Sequence, residues 1–152
     1  MDYNLIYTTD ELHKYIDSAD VIAFDFETAP DDAWRDEPKA ALDAHKSHIV
    51  GISLSVKGET AVYLPFEHKI GKNVQSRDEM MQHLTAAVFE NPAVVKVAHN
   101  LSFESMFLYA LGIVVCEPCY DTIAAAQLTL KSKFEFRGLS DSGLKLLATS
   151  LF

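Results

Sequence analysis

The chain has 152 residues, of which 49% are hydrophobic and 23% charged, and its formal net charge is −9. This length predicts a single domain, and the composition excludes a mainly disordered protein. The negative charge argues against a protein that holds nucleic acid by electrostatics alone, although bound divalent cations would offset it locally. No apolar segment approaches the roughly 20 residues that span a bilayer, and no export signal begins the chain, so we expect a cytoplasmic protein without membrane contact.

The first half of the chain has the hydrophobic pattern of strands with one helix. The predicted elements are a strand over 4–8, a helix from Thr9 or Asp10 to about 18, and strands over 21–27, 49–56 and 60–66. The last two strands flank the turn residues 57–59 and predict a β-hairpin beside the first long strand. The polar, acidic segment 29–45 predicts an irregular excursion with some helix near 39–44.

The second half predicts mainly helices. The elements are a helix from Ser76 to about 89, a strand over 93–98, a helix that Asn100 caps and that ends near 111, a strand over 113–116, a helix that Asp121 caps and that ends near 130, and an amphipathic helix from about 140. This last pattern reaches Phe152 without a stop signal, so we expect the chain to be cut in mid-helix. Three strands in meander order, followed by alternating helices and strands, predict a mixed α/β sheet with helices packed on it.

Two carboxylates lie in the apolar run of the first long strand. Asp25 and Glu27 are separated by one residue, so in a strand they share a face and lie about 7 Å apart, at roughly 3.3 Å per residue. Two acids in an apolar setting repel each other, and their oxygen atoms suit Mg²⁺ or Mn²⁺. The alternative is that the strand ends at Phe26 and the acids begin a solvated loop.

A third carboxylate, Glu104, falls in the first turn of the helix that follows Asn100. The helix dipole alone favours an acid there. An acid at the start of a helix, beside a strand that carries Asp25 and Glu27, would also complete a cluster able to hold two ions. The sequence therefore predicts a metal site, with the dipole as the simpler alternative.

Four stretches of the chain carry a further signal. They are Asp25-Phe26-Glu27-Thr28, the hairpin 51–55 and 61–66 with His68, the segment 97–100 with Phe103-Glu104, and Asp121-Thr122 with 144–148. In this order and spacing they resemble the 3′→5′ exonuclease (proofreading) domain of family A DNA polymerases, within the DEDD superfamily. The resemblance covers most of residues 3 to 151. It implies a ribonuclease-H-like fold in which three antiparallel strands precede parallel ones.

The resemblance also implies a reaction. Two divalent cations, Mg²⁺ or Mn²⁺, would hydrolyse the 3′-terminal phosphodiester of DNA and release nucleoside 5′-monophosphates. Asp25, Glu27 and Glu104 would be the catalytic metal ligands, and Thr28 and Asn100 would contact the terminal nucleotide. The partner would be a single-stranded or frayed 3′ end of DNA, with a polymerase domain in the parent chain.

Two departures from the family pattern matter. Glu104 stands where the family usually has Asp; we expect function to survive, with some preference for Mn²⁺. The third motif of the family, Tyr or His followed by Asp, would lie beyond Phe152. We therefore expect residues 1–152 to be a single exonuclease domain in the form of an N-terminal fragment, weak or inactive alone.

Other functions also fit parts of the sequence. A ribonuclease D-like RNA exonuclease would share the fold and chemistry, and a non-catalytic scaffold or nucleic-acid-binding module would share the fold alone. Cys116 and Cys119 have the spacing of half a zinc site or a redox pair, but no second Cys/His pair follows at a matching spacing, so we expect a structural role. His68 and His99 could approach the site, although ordinary hydrogen-bonded histidines are the simpler expectation.

Overall fold

The computed structural model describes residues 4–130, without the side chains of residues 129 and 130. The strands are β1 (Asn4–Leu5), β2 (Val21–Pro30), β3 (Ser47–Val56), β4 (Val62–Pro65), β5 (Val95–Ala98) and β6 (Cys119–Asp121). The α-helices are α1 (Thr9–Ile16), α2 (Arg77–Leu84), α3 (Leu101–Ala110) and α4 (Thr122–Leu130). A π-helical segment, Thr85–Phe89, extends α2, and two 3₁₀ turns, Asp32–Trp34 and Ala40–Leu42, lie between β2 and β3.

Within residues 4–130, six strands form one mixed sheet in the order β1-β4-β3-β2-β5-β6. The strands β2, β3 and β4 are antiparallel neighbours, whereas β1 pairs with β4, β5 with β2 and β6 with β5 in parallel. Parallel neighbours need crossover connections, and α2 and α3 supply those that lead to β5 and β6. The predicted class, a mixed α/β sheet with an antiparallel portion followed by parallel strands, is confirmed.

Helices α1, α2 and α3 cover one face of this sheet. Ile22, Phe24 and Phe26 of β2 are at most 5% exposed on that face, and the ring of Phe24 lies 5.2 Å from that of Phe89. Each such side chain contributes roughly 1.5–3 kcal/mol through burial. Because side chains alternate along a strand, the burial of these three residues places Asp25 and Glu27 on the opposite face.

Lys96 of β5 is a fully buried cation in this core, with no exposed surface. Its ammonium group donates to the carbonyl oxygens of Asn91 at 2.7 Å and Val94 at 2.9 Å, and it lies 3.5 Å from Cys116 Sγ. The side chain therefore ties the turn before β5 to the segment before β6.

Replacing Lys96 with Met is expected to lower the free energy of unfolding by about 2 kcal/mol, because the buried Val94 carbonyl loses its donor and the Asn91 carbonyl keeps only the Val94 amide. Urea denaturation measures this change. Lys57→Met, at an exposed turn, is the control and should change stability by less than about 0.5 kcal/mol. Equal stability of the two variants would contradict the structural role of Lys96.

The N-terminus of α1 differs from the prediction. Thr8, rather than Thr9 or Asp10, is the N-cap. Its hydroxyl accepts from the Glu11 amide at 3.3 Å, and Glu11 Oε2 accepts from the Thr8 amide at 3.0 Å. This capping box needs Glu three residues after the cap, a spacing that only Thr8 satisfies here.

The strand predicted over 113–116 is wrong; the pairing strand is β6. The amide of Ile113 donates to the Leu108 carbonyl and that of Cys116 to the Phe89 carbonyl, both at 2.9 Å. Ile113 and Val115 pack against the core, so the apolar character of this segment reflects packing rather than strand pairing. The helix predicted from about 140 lies outside the described residues. Among the residues that are described, no helix is both long and apolar enough to cross a membrane.

Candidate active site

Asp25 and Glu27 lie within β2, which continues to Pro30. Both side chains are exposed on the face away from the helices. Asp25 pairs with Ser53 and Glu27 with Gly51 across β3, and a register shift follows directly after Glu27. The alternative that the strand ends at Phe26 is therefore wrong, and the two acids project from a rigid sheet rather than a loop.

Thr28 follows the register shift. Its hydroxyl donates to the carbonyl oxygen of Ala41 at 2.6 Å, which fixes the 3₁₀ turn Ala40–Leu42 beside the acid pair. The single hydroxyl proton is therefore engaged within the protein, and the lone pairs of the oxygen remain for a ligand. A contact between Thr28 and substrate stays a prediction.

The N-terminus of α3 is capped by a residue far away in sequence. Asn100 is the N-cap residue, as predicted, but it adopts the left-handed conformation with φ 76° and its side chain makes no capping hydrogen bond. The Asp121 carboxylate instead accepts from the amides of Asn100 and Leu101, each at 3.0 Å. It also accepts from the Ile123 amide at 2.9 Å at the start of α4, as predicted. Asp121 thus fixes both helices, while the Asn100 side chain stays exposed.

Glu104, in the first turn of α3, is 2% exposed. Its Oε2 atom is buried and has no hydrogen-bond partner. Burial raises the pKa of Glu104, a backbone hydrogen bond lowers it in part, and the charges of Asp25 and Asp121 add to the rise, so that the pKa is about 7. An ionised carboxylate in this setting is costly unless a cation neutralises it.

His99 lies beside Asp25 at the end of β5. The surrounding protein desolvates Asp25 and raises its pKa, while His99 lowers it. His99 Nδ1 lies 2.8 Å from Thr122 Oγ1, and that hydroxyl donates to the Ala98 carbonyl at 3.2 Å. Because the Thr122 hydroxyl donates to Ala98, Nδ1 is the donor in its contact with Thr122 Oγ1, and Nε2 is the other nitrogen of the ring. That Nε2 atom is buried and has no partner.

The face of the sheet that carries Asp25 and Glu27, opposite the buried face of β2, is the open face. It forms a cleft beside these residues. Its volume is about 440 Å³, and Asp25, His99 and Thr122 contribute to its lining. Ser53, Ser55 and Val97 also line it. The ionisable groups of the lining are Asp25 on β2 and His99 directly after β5.

The structure brings Asp25 and Glu104 within electrostatic reach of each other, with Glu27 two residues further along β2. Within residues 4–130, no group of three His, Cys, Asp or Glu side chains lies close enough to hold a metal ion in these conformations. The donors nonetheless fit a divalent cation, because Glu104 has an unpaired buried oxygen and repels Asp25. The convergence of all three acids, and the contact of Asn100 with substrate, stay predictions.

A family model described as 3'-5' exonuclease matches residues 3–152. The chain belongs to the 3′-5′ exonuclease domains of family A DNA polymerases. DNA polymerase I of Chloroflexus aurantiacus is 34% identical over 101 residues, which are 66% of this chain and 10% of that protein. DNA polymerase I of Borreliella burgdorferi is 30% identical over 129 residues, 83% of this chain and 13% of that protein. This exonuclease domain thus spans only a small part of the relatives it matches, and the family resemblance is confirmed.

Solved structures agree on the fold of the exonuclease domain. Brucella melitensis NrnC has a TM-score of 0.66 and 19% identity, covering 100% of this chain and 61% of that one. Escherichia coli RNase D has a TM-score of 0.62 and 20% identity, covering 99% of this chain and 33% of that one. At such low identity the likeness shows the shared ribonuclease-H-like architecture alone.

Proposed function

We propose that this exonuclease domain hydrolyses the 3′-terminal phosphodiester of DNA with divalent cations and releases nucleoside 5′-monophosphates. The observation that carries the proposal is Glu104, a buried carboxylate with an unpaired oxygen beside the charge of Asp25. In a member of this family, such a pair is best explained as a site for a cation. The cited relatives are DNA polymerases, which supports a polymerase domain in the parent chain.

Asp25, Glu27 and Glu104 would hold two cations, Mg²⁺ or Mn²⁺. Brucella melitensis NrnC has been solved with bound Mg²⁺, which supports this choice. Such ions would supply an activated water and neutralise charge on the scissile phosphate. The protein's own contribution is placement: β2 fixes two of the acids, and Asp121 fixes the helix that carries Glu104.

The substrate would be a single-stranded or frayed 3′ end. A terminal base must leave its duplex to enter a cleft of this kind, and unpairing costs a few kcal/mol, less at a mismatch. Thr28 and Asn100, which flank the acids on β2 and at the start of α3, would contact the terminal nucleotide. A domain that acts on DNA in this way, whether in a bacterial or a viral polymerase, would work in the cytoplasm.

Titration calorimetry with Mn²⁺ tests this proposal. Asp25→Asn is expected to weaken cation binding at least about tenfold, because it removes a charged ligand from a repelling pair. Asp20→Asn, an exposed residue just before the same strand, is the control and should bind as the unchanged protein does. Unchanged affinity in Asp25→Asn would contradict the proposal.

A ribonuclease D-like activity on RNA is the second candidate, and the shared fold with Escherichia coli RNase D favours it. The DNA polymerase relatives favour DNA instead. Matched 3′-labelled DNA and RNA of one sequence distinguish the two, since we expect tighter binding of DNA. A non-catalytic module would bind DNA without binding cations, and the presence of all three acids argues against it.

A further inference from the structure

A hydrogen-bonded pair, Tyr63 and His68, borders the acids on the open face of the sheet. Tyr63 of β4 pairs with Ser53, which in turn pairs with Asp25. Paired residues of neighbouring strands project to the same face, so Tyr63 and Asp25 lie on one side of the sheet. The Tyr63 hydroxyl lies 2.6 Å from Nε2 of His68.

The ring of Tyr63 occupies the space above Gly51. A Cβ atom placed on Gly51 would overlap the hydroxyl oxygen and Cζ of that ring. Gly51 is also the residue that pairs directly with Glu27. Paired residues on neighbouring strands have Cβ positions about 5 Å apart. The Tyr63 hydroxyl occupies the Cβ position of residue 51, so it lies about 5 Å from the Cβ atom of Glu27. Desolvation, and then the charge of Glu27, raise the pKa of Tyr63.

The surrounding chain holds His68 in place. Its amide donates to Asn73 Oδ1 at 2.8 Å, and Asn73 Nδ2 donates to its carbonyl oxygen at 3.0 Å. The two residues before His68 are also held, because the Val50 carbonyl accepts from the amides of Phe66 at 2.8 Å and Glu67 at 3.0 Å. These bonds fix the segment after β4, so His68 is a rigid partner for the tyrosine.

We propose that Tyr63, supported by His68, is a positioning residue for Glu27. The ring closes off the conformations in which the Glu27 side chain would lie across β3. With Nε2–H of His68 donating to the Tyr63 oxygen, the single hydroxyl proton of Tyr63 can be donated to the Glu27 carboxylate when that group turns toward Asp25. Gly51 is required because any side chain there would displace the ring. The inference rests on the proposed function, since it takes Glu27 to be a cation ligand. Partners that orient metal ligands in this way are typically worth 10–100-fold in metal affinity.

Mn²⁺ calorimetry on Tyr63→Phe and Gly51→Ala tests the inference. Tyr63→Phe is expected to weaken binding about tenfold, and Gly51→Ala at least as much, while thermal unfolding of cation-free Tyr63→Phe stays close to that of the unchanged protein. Tyr109→Phe, at a residue of α3 that is 75% exposed, is the matched control and should bind normally.

A double-mutant comparison separates positioning from a general structural effect. If Tyr63 acts through Glu27, Tyr63→Phe should have no further effect on cation affinity in a Glu27→Gln background. The inference is overturned if Glu27→Gln weakens binding but Tyr63→Phe does not, or if Tyr63→Phe costs the same in both backgrounds. If the unchanged protein binds no Mn²⁺, or Glu27→Gln has no effect on binding, the proposed function fails and the inference fails with it.

Discussion

Replacing Glu104 with Gln is expected to stabilise the cation-free protein at pH 8 and to weaken its binding of Mn²⁺. In the folded protein the pKa of Glu104 is about 7, against an ordinary value of 4.5. Between these values the folded state binds more protons than the unfolded state, so the free energy of unfolding falls as pH rises, and the full cost is present above pH 7. At about 1.4 kcal/mol per pKa unit, that cost is about 3 kcal/mol.

Urea denaturation in the presence of EDTA, at pH values from 4.5 to 8, measures this effect. The stability difference between Glu104→Gln and the unchanged protein should be small at pH 4.5 and grow to its maximum at pH 8. Glu79→Gln is the control, because Glu79 also lies in the first turn of a helix but is exposed. A difference that does not vary with pH would show that Glu104 is not a strained carboxylate.

Mn²⁺ should offset the loss of stability that ionised Glu104 causes in the unchanged protein. A cation that binds only the folded state raises the free energy of unfolding by mass action, and it requires Glu104 to be ionised. We therefore expect Mn²⁺ to stabilise the unchanged protein more at pH 8 than at pH 6, and to stabilise Glu104→Gln only slightly at either pH. Equal stabilisation of the two proteins by Mn²⁺ would exclude Glu104 as a ligand.

The face that carries Asp25 and Glu27 could be predicted from sequence because the period of a strand is two residues. Three buried apolar residues at alternate positions determine where the acids between them project. The length of β2 could not be predicted, because Thr-Ala-Pro has a composition typical of loops. Those residues are extended only because β3 pairs with them as far as Pro30.

The burial of Glu104 depends on contacts between residues distant in sequence. Its helix begins where Asp121 accepts two amides of residues 100 and 101, and this contact exists because Ala98 and Asp121 are partners in the β5–β6 pairing. Local pattern favoured an Asn100 cap, since Asn is common at that position. The position of Tyr63 beside Glu27 likewise follows from the register of β3 and β4. The sequence shows only that Tyr63 and His68 are five residues apart, and this spacing does not indicate the register.

Replacing Asp121 with Ala is expected to lower the free energy of unfolding by about 3 kcal/mol, because charged acceptors of backbone amides contribute about 1.5–3 kcal/mol each and do not add fully. The three amides that lose their acceptor belong to Asn100, Leu101 and Ile123. Asp121→Asn keeps one acceptor oxygen and should lose about half as much stability. Both changes remove a charge that raises the pKa of Glu104, so the loss should be smaller at pH 8 than at pH 4.5.

Hydrogen exchange locates the effect of Asp121→Ala within the fold. The amides of Asn100, Leu101 and Ile123 should lose protection first, because their bonds to Asp121 are the ones removed. Asp43→Ala is the matched control, since the Asp43 carboxylate accepts the amide of His45 two residues away and lies 3.9 Å from Lys46 Nζ, and local contacts of this kind are worth about 0.5–1 kcal/mol. Since α3 carries Glu104, loosening its first turn should also weaken Mn²⁺ binding. If Asp121→Ala cost no more stability than Asp43→Ala, the placement of Glu104 by a residue of the neighbouring strand would be refuted.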